Sequence, residues 1–106
     1  MSIIVHAVID LEGVDIETFD AYEATVMPLV AEHGGQVIGR YRTADGKTEV
    51  HVIGFANRTG RDGYTNDPRR QAAQPLRIKS GVQMQALEMI ALGLDGQPLA
   101  DPLGKR

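Results

Sequence analysis

Hydrophobic residues along the first third of the chain change from strand-like to helical spacing. Residues 3–9 are apolar at all but one position, and β-branched side chains dominate the run, as expected of a short strand in the centre of a sheet. From residue 16 to residue 30, apolar side chains recur at helical spacing. Asp15 before this stretch is a natural N-cap, and Gly34-Gly35 after it ends the helix. The chain therefore begins with a strand followed by a helix.

The rest of the chain repeats this alternation. The predicted elements after the first helix are strands at 36–43 and 48–55, a helix broken into 59–64 and 68–79, and a strand at about 82–92. Asp45-Gly46 permits the positive backbone angles of a hairpin turn between the two strands. Asn66-Asp67-Pro68 predicts a new helix start, with proline at the first helical position. The predicted order is βαββαβ.

This order predicts an α+β protein with a ferredoxin-like fold, a four-stranded antiparallel sheet with both helices on one face. The length of 106 residues allows one core. We expect one domain at residues 1–92 and a C-terminal extension at 93–106, which is either a loosely held terminus or a dimer arm. Because one helical layer leaves a sheet face uncovered and the strands are apolar on both sides, we expect a homodimer whose sheets pack into an α/β barrel.

Composition excludes several classes of function. The chain has no cysteine, which excludes disulfides, thiolate metal sites and a cysteine nucleophile. No apolar run reaches the roughly 18–20 residues that span a bilayer, and the N-terminus lacks the features of a signal peptide. We therefore expect a cytoplasmic protein that does not bind membranes. The net charge of −3, without a basic and aromatic ladder, argues against nucleic acid as a partner.

Positive charge is concentrated in the second half of the chain. Residues 58–79 contain six Lys or Arg and two Asp, whereas residues 1–39 contain seven acidic residues and no Lys or Arg. One interpretation is a rim that attracts anions above a pocket. The other is a pair of neighbouring helices with complementary charge.

Short motifs spread over the predicted elements support a family resemblance. They are Tyr22, Pro28, His33-Gly34-Gly35, the strand that closes on Phe55, Tyr64-Thr65-Asn66-Asp67-Pro68, Gln71 and Arg77. Through them, about residues 3–92 resemble the dimeric α/β-barrel superfamily, and within it a small bacterial family of unknown function. The resemblance implies a homodimer and a set of possible activities, since the superfamily contains cofactor-independent monooxygenases, polyketide cyclases, lactone isomerases, haem-degrading enzymes and haem peroxidases. Haem degradation is disfavoured, because its site resembles an Asn, His and Trp set and this chain has no Trp.

Two histidines are the main candidates for acid/base chemistry, because histidine titrates near neutral pH. His6 lies in the first predicted strand and His51 in the third, and these strands are neighbours in the predicted sheet. If both side chains point to the same face, their rings share one cavity. Arg40 from the second strand is then the candidate anion stabiliser, with Glu88 or Gln85 as additional members.

Aromatic and loop residues supply the candidate substrate contacts. Tyr64 and Asn66 lie at the break between the helix halves, and Tyr41 adds an aromatic side chain. A metal site of two histidines and Glu88 is a weaker alternative, because no ligand spacing supports it.

Three functions remain open from the sequence. The leading one is a homodimeric enzyme that needs no metal or other cofactor and moves a proton in a small carbonyl or phenolic compound, as an isomerase or cyclase does. The second is a non-catalytic homodimer that binds a small ligand and uses its histidines as hydrogen bonders in the interface. The third is a cofactor-independent monooxygenase of aromatic, polyketide-like substrates. Fold alone does not choose among them.

Overall fold

The computed structural model describes residues 2–100 and contains the predicted alternation of strands and helices. The elements are β1 (Ile3–Asp10), α1 (Ile16–Glu32), β2 (Gly35–Arg42), β3 (Thr48–Phe55), α2 (Arg58–Thr65), α3 (Pro68–Ser80) and β4 (Gln83–Met89). All strand pairs are antiparallel, and the strand order is β2-β3-β1-β4. The ferredoxin-like fold and the broken second helix are therefore confirmed.

Local capping signals determine where the helices begin and end. The Asp15 side chain accepts a hydrogen bond from the Thr18 backbone N–H at 3.3 Å, which satisfies an otherwise free donor at the start of α1. Gly34 follows α1 with φ of 73°, a left-handed conformation that glycine adopts without strain. Asp67 caps α3, with Pro68 at its first position. These are the boundaries that the sequence motifs predicted.

The core lies between the helices and one face of the sheet. Its buried side chains include Val5, Ala7 and Ile9 of β1, Ile53 and Phe55 of β3, and Phe19, Tyr22, Val26, Leu29 and Val30 of α1. Each large apolar side chain buried in this way contributes roughly 1.5–3 kcal/mol through removal from water. The apolar stripe of α1 therefore fixes which sheet face meets the helices.

Two glycines allow α2 to pack closely against the end of α1. A Cβ atom at Gly60 would overlap the carbonyl oxygen of His33, and one at Gly63 would lie 2.8 Å from His33 Nδ1. The His33 ring also binds the Asp67 carboxylate, with Nε2 and Oδ2 2.7 Å apart. The glycines that weaken α2 as an isolated helix are thus required by its packing.

The other face of the sheet is apolar and has no helix against it among residues 2–100. It carries the side chains of Ile4, His6, Val8, Tyr41, Val50, Val52, Gln85, Leu87 and Met89. Val8 in the central strand is 36% exposed and Leu87 in the neighbouring strand is 39% exposed. We call this surface the open face.

The chain after β4 turns back on itself. The fourth strand ends at Met89 and not near Leu92, because residues 91–99 form a turn in which Leu92 pairs with Pro98. The Gly93 N–H donates to the Gln97 carbonyl at 2.8 Å. Residues 101–106 of the predicted extension lie outside the described residues, and its role as a dimer arm remains a prediction. Within residues 2–100, no helix is long and apolar enough to cross a membrane.

Candidate functional site

The two candidate histidines lie on opposite faces of the sheet. His6 pairs with Val52 and His51 pairs with Ala7, and directly paired residues of antiparallel strands point to the same side. His51 faces the helices and is 1% exposed, whereas His6 is half-buried on the open face. From the sequence we considered one cavity lined by the rings of His6 and His51. That cavity therefore does not form within the protomer. The register between β1 and β3 is the reason.

Buried ionisable groups surround His51. Its Nε2 lies 2.5 Å from Glu49 Oε2, and its Nδ1 lies 3.7 Å from Glu23 Oε2. We call these three residues the Glu23–His51–Glu49 relay. Arg40 donates to Glu49 Oε2 at 2.8 Å, and Arg42 donates to Oε1 through Nε at 2.9 Å and Nη2 at 2.6 Å. Cross-strand pairing between β2 and β3 brings both arginines to this position.

The two carboxyl groups of the relay have pKa values moved in opposite directions. Burial raises the pKa of Glu23 to about 7. Burial also acts to raise the pKa of Glu49, but hydrogen bonds from His51, Arg40 and Arg42 outweigh it and lower that pKa to about 2. A pair of acids separated in this way suits proton transfer, because one stays ionised while the other exchanges a proton near neutral pH.

His51 is neutral at neutral pH in this arrangement. Burial lowers its pKa, outweighing the hydrogen bond to Glu49 that acts to raise it. Because ionised Glu49 only accepts hydrogen bonds, the proton of the neutral ring lies on Nε2. The lone pair of Nδ1 then points towards Glu23, and the ring is oriented to accept a proton from that carboxyl.

An inner cavity of about 220 Å³ lies between the sheet and the helices. Most of its wall is apolar, with Val5, Ile53 and Phe55 on the sheet side. The side chains with polar groups on its wall are Tyr22, Glu23, His51, Arg61, Tyr64, Thr65 and Arg70. Drug-sized ligands use pockets of roughly 300–1,000 Å³, so this cavity suits a smaller molecule.

An outer cleft of about 350 Å³ continues from the inner cavity past Thr65 and Arg70. It adds Gln71, Gln74 and Arg77 from α3. Arg61 and Arg70 therefore line the inner cavity, and Arg70 and Arg77 line the outer cleft, which fits the rim considered from the charge pattern. The alternative of complementary helices also describes part of the basic segment, since Arg69 binds Glu32 of α1 at 2.9 Å.

The structure separates the other predicted site residues. Tyr64 lines the inner cavity and is 8% exposed, and burial raises its pKa. Arg40 does not line that cavity and contacts Glu49 instead. Asn66 is exposed at the end of α2, and Tyr41 is 59% exposed on the open face. Of the predicted site residues, the structure brings His51 and Tyr64 to the wall of one cavity.

The additional members considered from the fourth strand are also separated from the relay. Gln85 pairs with Val8 on the open face, and Glu88 forms ion pairs with Arg58 at 2.5 Å and Arg61 at 3.8 Å. The metal set of His6, His51 and Glu88 is not assembled, because the histidines lie on opposite faces.

Glu23 is the residue that sequence reasoning missed. It lies four residues after Phe19 and three before Val26, so helical spacing puts it on the apolar stripe of α1. The structure confirms that position, with Glu23 buried on the face that meets the sheet. A carboxyl in the middle of a buried stripe is the signal that indicates it.

Comparisons with known proteins support the fold. No family model and no curated protein matches the chain. Atu4242 from Agrobacterium tumefaciens, described as a NIPSNAP family protein of unknown function, matches with a TM-score of 0.66 at 16% identity, over 93% of this chain and 100% of that one. A dimeric ferredoxin-like protein of unknown function from Jannaschia sp. CCS1 matches with a TM-score of 0.59 at 16% identity, over 81% and 99%.

A third solved structure has a name that refers to an activity. It is a candidate antibiotic biosynthesis monooxygenase from Nitrosomonas europaea, with a TM-score of 0.54 at 12% identity, over 90% of this chain and 93% of that one. At such identities the likeness establishes the fold alone. The neighbours agree with the ferredoxin-like fold predicted from the sequence.

Proposed function

We propose that this chain is a cofactor-independent acid/base enzyme, an isomerase or cyclase of a small carbonyl or phenolic compound that binds in the inner cavity. The observation that carries the proposal is the Glu23–His51–Glu49 relay, in which Glu23 and His51 line the cavity. Glu23 Oε2 is buried and has no hydrogen-bond partner within residues 2–100. A buried acceptor without a partner costs about 1–3 kcal/mol, which is unfavourable for a group whose role is only structural.

The relay supports a proton transfer that needs no other reactant. Ionised Glu23 takes a proton from the carbon next to the substrate carbonyl, the electron pair of the C–H bond forms a C=C bond, and the π pair of the carbonyl moves to its oxygen to give an enolate. Return of the proton to another carbon of the conjugated system completes an isomerisation. Attack of the enolate carbon on a second carbonyl of the same molecule closes a ring instead, and the alkoxide that forms takes the proton from Glu23. Between these steps the proton stays on Glu23, whose pKa is above that of His51, and the lone pair of His51 Nδ1 faces it.

Two arginines act on charge, Arg61 at the cavity wall and Arg40 behind it. Arg61 Nε is buried and makes no hydrogen bond in the described part of the chain, since its ion pair with Glu88 Oε1 is 3.8 Å long, and the residue lines the inner cavity. Its N–H is available to stabilise the enolate oxygen. Arg40 is a positioning residue, because with Arg42 it keeps Glu49 ionised and Glu49 in turn fixes the His51 tautomer.

The proposed enzyme is a homodimer that buries the open face. A sheet face with this much exposed apolar surface is typical of an interface, and a second copy presents the same strands to it. The Jannaschia neighbour is described as dimeric, which supports this arrangement. His6 then lies in the interface and not in the site.

A second candidate is a cofactor-independent monooxygenase, favoured by the name of the Nitrosomonas neighbour. The same base would ionise a phenol, and dioxygen would be the second substrate. Oxygen uptake that accompanies substrate loss distinguishes this reaction from isomerisation or cyclisation.

The experiment is a turnover assay on enolisable ketones, lactones and phenols, followed by proton NMR. Wild type is compared with His51→Asn and Glu23→Gln, with His6→Asn as the matched control. We expect both site variants to lose activity by on the order of 100-fold or more, because a positioned general base contributes that much. Equal loss in His6→Asn, or no loss in the site variants, would contradict the proposal. Binding without turnover in wild type would favour the non-catalytic ligand-binding protein.

A further inference from the structure

Arg70 lies between the inner cavity and the outer cleft and has no carboxylate partner among residues 2–100. Its guanidinium stacks on the Tyr64 ring at 4.5 Å, and Nη1 donates to the Thr65 carbonyl at 3.2 Å. Its Nε is buried and finds no acceptor in the same part of the chain. Arg70 therefore holds a fixed orientation with an unused donor.

Other arginines of the basic segment form ion pairs with carboxylates. Arg69 forms ion pairs with Asp67 and Glu32, each at 2.9 Å, and Arg58 pairs with Glu88. Arg77 lines the outer cleft and, like Arg70, forms no ion pair with any residue in the range 2–100. The unpaired arginines of this basic segment are thus the ones that face the outer cleft.

Helical spacing places the donors of the outer cleft in one row. Arg70, Gln74 and Arg77 are separated by four and three residues along α3, so they lie on the same helix face. Tyr22 and Met84 form an apolar wall beside them. A planar anion in this cleft would meet guanidinium and amide N–H groups along one side.

The charges fix the orientation of such a ligand. A second carboxylate beside Glu23 would be repelled when that group is ionised, so the anion belongs at the outer end. Guanidinium groups bind carboxylates with paired hydrogen bonds, which would supply the acceptor that Arg70 Nε lacks. The apolar wall of the inner cavity suits the uncharged end of the same molecule.

We propose that the ligand of this site is a small organic carboxylate, with its carboxylate on Arg70 and Arg77 in the outer cleft and its apolar body beside Glu23 and His51. The position of the apolar body beside Glu23 and His51 rests on the proposed function. The binding of the carboxylate is tested independently of catalysis.

Binding is measured by calorimetry in a buffer free of carboxylate, phosphate and sulfate, with benzoate, phenylacetate and phenylpyruvate as probes. We expect at least one probe to bind about tenfold or more tightly than its amide, a difference of about 1.4 kcal/mol. Arg70→Gln and Arg77→Gln should each weaken that probe by about tenfold. Lys79→Gln, which removes the same charge from the exposed end of α3, is the matched control and should bind as wild type does.

Three results would overturn the inference. They are equal affinity for acids and amides, unchanged affinity in both arginine variants, and failure of all three carboxylates to bind. Because Arg77 lines only the outer cleft, whereas Arg70 also lines the inner cavity and stacks on Tyr64, the Arg77 variant separates loss of binding from loss of folding.

Deuterium exchange at the methylene carbon of phenylpyruvate separates this inference from the proposed function. Arginine-dependent binding without exchange, or with exchange that His51→Asn leaves unchanged, would refute the proposed function and leave the carboxylate site intact. Exchange that depends on His51 but is as fast for neutral phenylacetone, and unaffected by Arg70→Gln, would refute the carboxylate site alone.

Discussion

Replacing Glu23 with glutamine should change how the stability of the fold depends on pH. The pKa of Glu23 is about 7 in the folded chain against 4.5 for an ordinary glutamate. The folded state therefore keeps a proton that the unfolded chain releases, so this stabilising contribution is complete below pH 4.5 and is lost as pH rises through 7. At about 1.36 kcal/mol per pKa unit, the loss amounts to about 3 kcal/mol.

The titration of His51 changes the free energy of unfolding in the opposite direction, and its effect must be distinguished from that of Glu23. Its pKa is lowered by burial, so its contribution is present above pH 6.5, the ordinary value, and is lost as pH falls through the folded pKa. The wild-type stability curve combines both effects. The difference between wild type and Glu23→Gln isolates the carboxyl, because His51 is common to both proteins.

The assay is urea unfolding followed by circular dichroism at several pH values from about 4 to about 8, across the window that the two pKa values define. Relative to wild type, Glu23→Gln should gain about 3 kcal/mol of unfolding free energy over this range. Glu17→Gln, an exposed carboxyl of the same helix, controls for the loss of one negative charge. Parallel curves for wild type and Glu23→Gln would refute the raised pKa and the proton-transfer role that depends on it.

Three further predictions test the packing of α2, the relay and the interface on the open face. Gly60→Ala should destabilise the fold by about 1–3 kcal/mol in thermal unfolding, because its Cβ would overlap the His33 carbonyl, whereas Thr59→Ala should not; equal stability would contradict the close packing. Glu49→Gln should cost at least about 2 kcal/mol in urea unfolding, because it removes the charge that Arg40, Arg42 and His51 share; a loss no larger than that of an exposed glutamate would contradict this. Val8→Asp should give a monomer in light scattering, with Thr25→Asp on the helical side as control, since an unpaired charge is costly in an apolar interface; an unchanged dimer would contradict an interface on the open face.

Sequence patterns predict the elements of this fold because each boundary has its own local signal. Asp15 and Gly34 delimit α1, and Asp67-Pro68 starts α3 after the break. The predicted end of β4 lies three residues beyond the observed end at Met89. Apolar residues continue past Met89 into a turn, and no local signal separates that turn from the strand. Local chemistry thus determines most of the secondary structure.

The candidate site is harder to predict because it depends on register. A shift of one residue between paired strands moves every side chain to the other face, so alternation within β1 and β3 does not tell whether His6 and His51 face each other. The β2–β3 hairpin is short and antiparallel, and it brings Arg40 opposite His51. Its bulge between Val37 and Gly39 is a further feature that the sequence did not reveal.

Glu23 shows a different limit of the sequence. Its place on the apolar stripe indicates burial. Its role in the relay depends on His51, which lies on a strand and is 28 residues away in the sequence. Burial between the helix and the sheet is the main cause of its raised pKa.

The central claim is that Glu23 and His51 move a proton to and from a molecule in the inner cavity. Its most direct test is the rate at which the protein exchanges deuterium from the solvent into bound phenylpyruvate, measured by proton NMR for wild type, Glu23→Gln, His51→Asn and His6→Asn. We expect exchange in wild type and His6→Asn, and an exchange rate lower by on the order of 100-fold in Glu23→Gln and His51→Asn. Exchange that persists without Glu23 and His51, or that never exceeds the rate in buffer, would contradict it.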